Sequence, residues 1–361
     1  MQLRIKLEDR GLPFSTDNTD HLVRAVMHAV REYGVIRESD GGLLVQELLS
    51  VNTVLTNPRA RLFRAPQYPH LFNPGLAVAR FFYLISGSND LEQICFYSPA
   101  ARRFSDDGIT MPGGAHGRRL FYPTAATDQF MGVIKSLQEH PERNRAAVAF
   151  YHPDDCGSPS VDLTCVMGGM FSCKEGRMRT LINMRANDTV PLLWYDLFEF
   201  SMLGEFIASY CGFELGEYYH SSFVMMVIGK PAMLVADALP NDTSQSPVMA
   251  AMPEVAKDTR AHLVHAERRV RSSVAQASFD EFRRLLDKLH DQENSYWADL
   301  FTALAVQGRY VHTDPHQGSV ELPLLAMPAE YIVSRETLTN SMRIVERSLS
   351  RPAGGSHSAV T

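Results

Sequence analysis

The sequence predicts an α/β fold of the α+β kind, in which a mixed sheet packs against helices and a helical region follows. Three observations indicate this. Apolar stretches at helical spacing alternate with short runs typical of buried strands. Residues 163–173 and 178–185 are two such runs separated by a four-residue turn, which predicts a hairpin. From residue 261 onward the chain is charged and has helical periodicity. Hairpin-linked strands mixed with helices favour one α+β domain with a helical addition.

The individual elements follow from periodicity and from start and stop signals. Residues 20–33 carry an apolar stripe at helical spacing; Thr19 or Asp20 can cap this helix, and Gly34 ends it. In chain order we predict a helix at 20–33, a turn-like loop at 37–42, a strand at 43–55, a helix at 76–86, a loop at 97–125, a helix at 127–139, strands at 146–151, 163–173 and 178–185, a helix at 193–210, a strand at 218–229, an exposed loop at 237–260 and helices beyond 261.

The domain boundaries follow from the change in composition after residue 240. We expect one catalytic domain over residues 1–240, a helical extension packed on it over 241–350, and a disordered tail over 351–361. A chain of 361 residues is long enough for a sizeable core in this arrangement.

Composition and charge exclude several classes of protein. The net charge of −6 argues against bulk nucleic-acid binding, although a local basic pocket for one phosphate remains compatible with it. No apolar run reaches the roughly 18–20 residues of a membrane-spanning helix, and the N-terminus lacks the apolar core of a signal peptide. Five cysteines without a CxxC pair predict neither a disulfide framework nor a zinc site. We therefore expect a reduced, cytoplasmic protein without a bound metal.

The candidate chemistry centres on Cys165, which has two glycines close downstream. Arg185 lies twenty residues further on, at the end of the paired strand, and Asp188 and Asp196 follow at the start of the next helix. A nearby arginine can lower the pKa of a thiol, and an arginine at a strand end can bind a phosphate through two hydrogen bonds. Each residue also has a structural interpretation: a buried thiol, solvated charges, and an Asp196 that favours a helix N-terminus.

The spacing of these four residues resembles the thymidylate synthases and their relatives, the pyrimidine nucleotide hydroxymethylases. That family has a nucleophilic cysteine, an R-S-x-D motif twenty residues later, and an Asn or Asp eight residues beyond. Here the corresponding residues are Cys165, Arg185 to Asp188, and Asp196. Weaker likenesses lie in ISGSND at 85–90 and in 128–149. The resemblance covers roughly residues 20–230 and implies a thymidylate synthase-like fold.

The resemblance also implies a reaction. The family's cysteine thiolate adds to C6 of a pyrimidine, which makes C5 nucleophilic, and C5 then takes one carbon from 5,10-methylenetetrahydrofolate. In this chain Cys165 would be the nucleophile, and Asp188 would be the second catalytic residue. The expected activity is hydroxymethyl or methyl transfer to C5 of a pyrimidine nucleotide.

The residues that would bind the nucleotide also follow from the resemblance. Arg37 and Arg185, with Arg143 or Arg145 from a second subunit, would hold the phosphate in a homodimer with shared active sites. Asp196 stands where the family reads the base. A carboxylate accepts a hydrogen bond from the cytosine amine but offers no donor to uracil O4 unless it is protonated. A cytosine nucleotide is therefore the expected substrate, and CMP is favoured because relatives in nucleoside-antibiotic pathways use it.

Several positions depart from the family pattern. The catalytic glutamate falls on Arg80, which we place among the substrate-binding residues because an arginine cannot act as a general acid or base near neutral pH. The His-x-Tyr pair that binds the ribose falls on Met226 and Ile228, and the serine after the arginine is Ala186. Two hypotheses therefore remain open besides a chance match: an active one-carbon transferase, or a relative with altered or no catalysis that binds nucleotides or regulates a partner.

Overall fold

A computed structural model of the chain describes residues 14–39, 42–63, 72–124, 127–238, 248–274 and 279–313. Its strands are β1 (Phe14–Thr16), β2 (Val35–Glu38), β3 (Leu44–Leu55), β4 (Ala146–Ala149), β5 (Val166–Lys174), β6 (Arg177–Asp188) and β7 (Glu214–Ile228). Its helices are α1 (Thr19–Tyr33), α2 (Pro74–Ser86), α3 (Leu91–Cys95), α4 (His116–Phe121), α5 (Gln129–Glu139), α6 (Leu192–Cys211), α7 (Gly229–Ala238), α8 (Thr259–Val274), α9 (Phe279–Gln292) and α10 (Ser295–Thr313).

The strands form one mixed sheet within the described residues. Its order is β1-β3-β7-β6-β5-β4, and β2 pairs with β3. The β5–β6 hairpin is antiparallel, whereas β6 and β7 run parallel and are connected by α6. A parallel pair requires such a crossover, and here the crossover is the longest of the described helices. The predicted α+β class with a mixed sheet is therefore confirmed.

The central helix α6 separates the sheet from the outer helices. It is apolar nearly all round, which is the pattern of a helix buried on all sides, and Gly212 ends it in the left-handed conformation with φ 72°. One side of α6 packs on β6 and β7, and α2 packs on another side. The layers are thus sheet, α6, α2 and then the C-terminal helices α8 and α10, which both contact α2.

The helix α2 is fixed at both ends. Pro74 occupies its first turn, and the Asn73 side chain accepts a hydrogen bond from the Leu76 amide at 3.0 Å. At the other end, the Arg260 guanidinium of α8 donates to the Ile85 carbonyl at 2.8 Å and lies 3.7 Å from the centre of the Phe121 ring. Arg260 therefore attaches the C-terminal region to the C-terminal end of α2, and α2 is the helix that carries Arg80.

Most predicted elements are confirmed, and the differences have local causes. The first helix is capped by Asn18, whose side chain accepts from the His21 amide at 2.9 Å, so the expected caps Thr19 and Asp20 are wrong. The predicted loop at 97–125 contains a 3-10 helix and α4, which are too short to show periodicity. The helix α7 begins at Gly229, the last residue of the predicted strand at 218–229, and its last two residues fall in the predicted loop at 237–260. The boundary at residue 240 and the tail at 351–361 lie outside the described residues.

The face of the sheet that α6 does not cover is open in this single chain. It presents three large apolar side chains, with exposed fractions of 63% for Phe223, 56% for Leu49 and 41% for Met170. Exposed apolar groups on one continuous sheet face are typical of a surface that contacts another protein.

Candidate active site

The end of the β5–β6 hairpin positions Cys165. The residue directly precedes β5, and its carbonyl accepts a hydrogen bond from the Arg185 amide at 2.8 Å. The Arg185 guanidinium donates to the carbonyls of Leu163 and Thr164, each at 2.9 Å. Arg185 therefore fixes the backbone that carries the thiol, and its Nη1 has no hydrogen-bond acceptor among the described residues.

The electrostatic surroundings keep Cys165 protonated in the free protein. Burial raises the pKa of the Cys165 thiol above its ordinary value, and the charge of Arg185 opposes that rise. The carboxylates of Asp196, Asp162 and Asp188 raise this pKa further. Because the thiolate is the nucleophilic form, the site needs either a proton acceptor or a neutralised carboxylate before the sulfur can react.

Asp188 ends β6 beside this thiol. Its Oδ1 accepts from the Val190 amide at 3.0 Å. Burial raises the pKa of Asp188 to about 7, the hydrogen bond from Val190 works against the rise, and the charge of Asp196 adds to it. A carboxyl group with this pKa exchanges its proton readily near neutral pH, which suits general acid–base chemistry.

Four side chains from three helices form what we call the Arg80 cluster: Arg80 of α2, Asp196 and Glu199 of α6, and His116 of α4. Arg80 Nη2 lies 2.5 Å from Asp196 Oδ1, and Arg80 Nε lies 2.8 Å from Glu199 Oε2. His116 Nδ1 lies 2.9 Å from Glu199 Oε1. Asp196 and Glu199 are one helical turn apart, so a single guanidinium can bridge them.

The charges in this cluster determine how its acids titrate. Burial raises the pKa of Asp196, and the Arg80 charge opposes that rise. Burial would also raise the pKa of Glu199, but the charges of Arg80 and His116 outweigh it and hold this pKa below its ordinary value. Glu199 is therefore the ionised partner of Arg80, and Asp196 is the acid that is more easily protonated.

A second chain of hydrogen bonds leads from Asp196 into the sheet. Asn187 Nδ2 donates to Asp196 Oδ2 at 3.1 Å and lies 3.0 Å from His220 Nε2, while His220 Nδ1 lies 3.0 Å from the Tyr218 hydroxyl. Burial lowers the pKa of His220 to about 4, so its ring is neutral near pH 7. Because Asn187 donates, Nε2 accepts and Nδ1 carries the proton toward Tyr218. Asp196 is thus held from two sides.

The segment carrying His116 is tied to the segment carrying Cys165. Asp162 Oδ2 accepts from the amides of Gly113 and Gly114, each at 2.7 Å. A Cβ atom on Gly113 would lie 2.0 Å from the Asp162 carbonyl, and one on Gly117 would lie 1.8 Å from the Leu84 carbonyl. Only glycine permits these backbone approaches, so the loop runs directly beside the chain that enters β5.

The arginines expected to bind phosphate are dispersed. Arg37 lies on β2 rather than in a loop, and its Nε donates to Glu47 at 2.8 Å. Arg143 and Arg145 are exposed in the loop before β4, near Cys173 at the far end of β5. Eight residues of strand separate that end from Cys165, which corresponds to about 26 Å. Within one chain these two arginines are therefore remote from the thiol.

The structure thus gathers five of the predicted residues: Cys165, Arg185, Asp188, Asp196 and Arg80. It also adds Glu199, Asn187 and His116, which the sequence interpretation missed. Glu199 did carry a signal, because an acid in an otherwise apolar helix needs a buried partner. His116 carried none beyond its position among glycines. Within the described residues, no three His, Cys, Asp or Glu side chains are grouped to hold a metal ion.

Comparisons with known proteins identify this kind of fold. Residues 85–261 match the family model described as thymidylate synthase. Among solved structures, thermostable thymidylate synthase A from Bacillus subtilis superposes with a TM-score of 0.56 at 19% identity, covering 68% of this chain and 91% of that one. The fold is therefore that of a thymidylate synthase, as the sequence predicted.

Curated relatives agree with this assignment. The deoxyuridylate hydroxymethyltransferase of Pseudomonas phage M6 is 28% identical over 212 residues, or 56% of this chain and 58% of the relative. That of Bacillus phage SP01 is 26% identical over 205 residues, or 51% and 52%. The chain thus matches little more than half the length of these relatives. These matches support a divergent member of the thymidylate synthase family.

None of the helices in the described residues is both long enough and apolar enough to span a membrane.

Proposed function

We propose that this protein transfers a one-carbon unit to C5 of a pyrimidine nucleotide, with Cys165 as the nucleophile. The observation that carries the proposal is the meeting of Cys165, Arg185, Asp188 and Asp196 at one end of the β5–β6 hairpin. Two curated relatives are named deoxyuridylate hydroxymethyltransferases, which supports the same reaction class.

In the proposed reaction the Cys165 sulfur forms a bond to C6. The C5–C6 π pair then moves toward C5 and the substituent at C4, so that C5 becomes the nucleophilic carbon. Binding of the nucleotide phosphate by the free Nη1 of Arg185, with Arg37 as a second cation, would position C6 near the sulfur. Asp188 would take up and return protons at the site, because its pKa of about 7 suits both directions.

The carbon donor we propose is 5,10-methylenetetrahydrofolate, on the resemblance to the family; it would supply the methylene carbon that C5 attacks. The described tryptophans do not form a stacking surface for its pterin ring. Trp194 is fully buried and stacks on Phe63 at 4.6 Å, and Trp297 is 5% exposed. Indole rings therefore do not define a folate surface in this chain, and the roles assigned to its residues concern the nucleotide alone.

We propose a cytosine nucleotide, CMP by preference, as the substrate. The buried Asp196 carboxylate can accept from the cytosine amine when it is ionised, and the charge of Arg80 opposes the rise in its pKa that burial causes. Deoxyuridylate is the second candidate for two reasons. The relatives named above act on it, and Arg80 retains N–H groups beyond those bound to Asp196 and Glu199, which could donate to uracil O4.

We further propose a homodimer in the cytoplasm with shared active sites. The open sheet face with Phe223, Leu49 and Met170 would be the interface. Arg143 and Arg145, which are exposed and remote from their own chain's thiol, would then contact the phosphate in the partner's site. A role in nucleoside-antibiotic biosynthesis belongs to this proposal as well, because CMP is the substrate of the relatives in such pathways.

The test is the exchange of the C5 hydrogen of CMP, dCMP, UMP and dUMP with solvent deuterium, followed by proton NMR. Exchange requires reversible addition of the thiolate but no carbon donor. We expect exchange with the wild type and none with Cys165→Ala, while Cys156→Ala, which alters an exposed thiol in a loop, keeps the wild-type rate. The nucleotide that exchanges fastest identifies the base and the sugar.

Two other outcomes would contradict the proposal. Full exchange in Cys165→Ala would mean that this thiol is not the nucleophile. Nucleotide binding without exchange in the wild type would instead support a binding or regulatory role, the alternative that the loss of the family glutamate at Arg80 leaves open.

A further inference from the structure

The pair formed by His116 and Glu199 is a second group of ionisable side chains at this site, and the mechanism above does not use it. His116 is 8% exposed, and its ring packs against Phe150 and Phe200 with ring centres 5.9 and 5.2 Å away. Its Nδ1 is held by Glu199 at 2.9 Å. The imidazole is thus fixed in orientation by an ion pair partner on one side and by aromatic rings around it.

The other ring nitrogen of His116 is available. Nε2 has no hydrogen-bond partner among the described residues, and it retains some accessible surface. The Glu199 carboxylate is ionised because Arg80 Nε also donates to it. An ionised carboxylate accepts the Nδ1 proton, so Nε2 is the ring nitrogen that can exchange a proton with a bound nucleotide.

The backbone around the site brings the segment of His116 beside the segment of Cys165. Asp162 binds the amides of Gly113 and Gly114, so the loop of His116 runs beside the chain that enters β5 at Cys165. Glu199 follows Asp196 by one turn of α6. A pyrimidine with C6 at the Cys165 sulfur and its position-4 edge at Asp196 has C5 between those two contacts. His116 contacts Glu199, which lies one turn of α6 from Asp196.

Arg80 leaves this part of the site without a base of its own. A guanidinium that bridges two carboxylates stays protonated, because their charges raise its pKa although burial opposes them. The family glutamate falls on this position, so the proton must be handled by another group. His116 provides a ring nitrogen donor or acceptor in the Arg80 cluster, and Glu199 holds it in place.

We propose that His116 is the base that removes the C5 proton from the nucleotide bound to Cys165, and that Glu199 positions it. This inference rests on the proposed function. Before this step the nucleophilic C5 has bonded to a second substituent, which is a deuteron from solvent in the exchange assay or the one-carbon unit in the transfer, so that C5 is tetrahedral. The C5–H bond then breaks, its electron pair enters the conjugated system of C5, C4 and the C4 substituent, and the proton moves to Nε2. The resulting imidazolium is stabilised by the Glu199 carboxylate. When the S–C6 bond then breaks, the C5–C6 double bond is restored and the thiolate leaves.

The experiment separates proton removal from thiolate addition, and it needs no carbon donor. The first measurement is C5 hydrogen exchange in deuterium oxide with the nucleotide that the wild type accepts. The second is the covalent adduct with the 5-nitro analogue of that nucleotide, detected by intact-protein mass. The nitro group activates C6 and leaves no C5 proton to remove. His116→Asn keeps an N–H donor near Glu199 but has no basic nitrogen.

We expect His116→Asn to form the nitro adduct as the wild type does. It should exchange C5 hydrogen at about one hundredth of the wild-type rate or slower, because a general base usually contributes about 100-fold or more. His116→Gln is a second variant should the first fold poorly, and unchanged circular dichroism is the condition for either. His28→Gln alters an exposed histidine of α1 and should leave both measurements unchanged. In His116→Ala, added imidazole should restore part of the exchange.

Glu199→Gln tests the positioning role. If Glu199 acts through His116, this variant should slow exchange, and the double variant with His116→Asn should lose no more than His116→Asn alone. Exchange within threefold of wild type in a folded His116 variant would overturn the inference, as would loss of the nitro adduct together with exchange. A wild type that shows neither exchange nor adduct would overturn the proposed function itself. That result is distinct from the two outcomes above, which concern the His116 variants alone.

Discussion

Replacing Asp188 by asparagine should make the protein more stable, and increasingly so as pH rises. Burial raises the pKa of Asp188 from 3.8 to about 7 in the folded state. The folded state therefore binds its proton more tightly than the unfolded chain does. Stability from this group is fully present below pH 3.8 and is lost as pH rises through about 7. Asparagine keeps an oxygen that can accept from the Val190 amide without becoming charged.

The size of the effect follows from the pKa difference. A difference of about three pH units at 1.36 kcal/mol per unit gives an upper limit of about 4 kcal/mol. Asp188 is partly accessible, so solvent screening reduces this to about 2 kcal/mol. Relative to wild type, Asp188→Asn should therefore gain about 2 kcal/mol of unfolding free energy between about pH 4 and pH 8.

The assay is urea unfolding of both proteins at half-unit intervals across that range. The pKa of His220 is lowered to about 4, so wild-type stability also falls in acid, but that change is common to both proteins and cancels in their difference. Asp154→Asn, at an exposed position in the 3-10 helix Pro153–Asp155, should show a constant difference from wild type. If the Asp188→Asn difference were likewise constant with pH, the raised pKa would be refuted.

Three further predictions concern the base, the loop and the interface. Asp196→Asn should shift exchange from CMP toward UMP by about tenfold to a hundredfold, since an amide can donate to uracil O4; an unchanged ratio would contradict base reading by this residue. Gly117→Ala places a Cβ 1.8 Å from the Leu84 carbonyl and should cost about 3 kcal/mol or more in urea unfolding, whereas Gly132→Ala, with nothing within 4 Å, should gain about 0.5 kcal/mol. Phe223→Asp should dissociate the proposed dimer in sedimentation equilibrium, and a wild type that sediments as a monomer would contradict it.

The fold is predictable where its long elements carry their own patterns. The hairpin at 163–185 has two apolar runs and a turn, and α6 is apolar along its whole length. The short helix α4 and the 3-10 helix before it are not predictable, because they are set by tertiary contacts such as the close approach of Gly117 to α2. The predicted N-cap falls one or two residues too late, since Asn18, Thr19 and Asp20 are all good caps.

The site is predictable only where spacing along one hairpin determines it. Cys165 and Arg185 are opposite each other because antiparallel pairing makes them so, and their sequence separation shows it. The pairing of Arg80 with Glu199 joins residues 119 positions apart on different helices, and no periodicity relates them. The sequence therefore presents Arg80 only as a lost glutamate, whereas the structure shows that Arg80 pairs with two acids of the facing helix α6.

Arg260 attaches α8 to α2. This contact links the candidate active site to the C-terminal helices, which lie almost wholly beyond the region matched by the family model. The match ends at residue 261, yet Leu263 and Val270 of α8 and Leu300 of α10 are fully or almost fully buried in the same core as α2. A chain that stopped at residue 261 would expose the apolar side of the helix that carries Arg80. The C-terminal helices and the guanidinium that pairs Asp196 with Glu199 therefore belong to one cooperative unit, and slow amide hydrogen exchange in α2 should depend on α10 being folded.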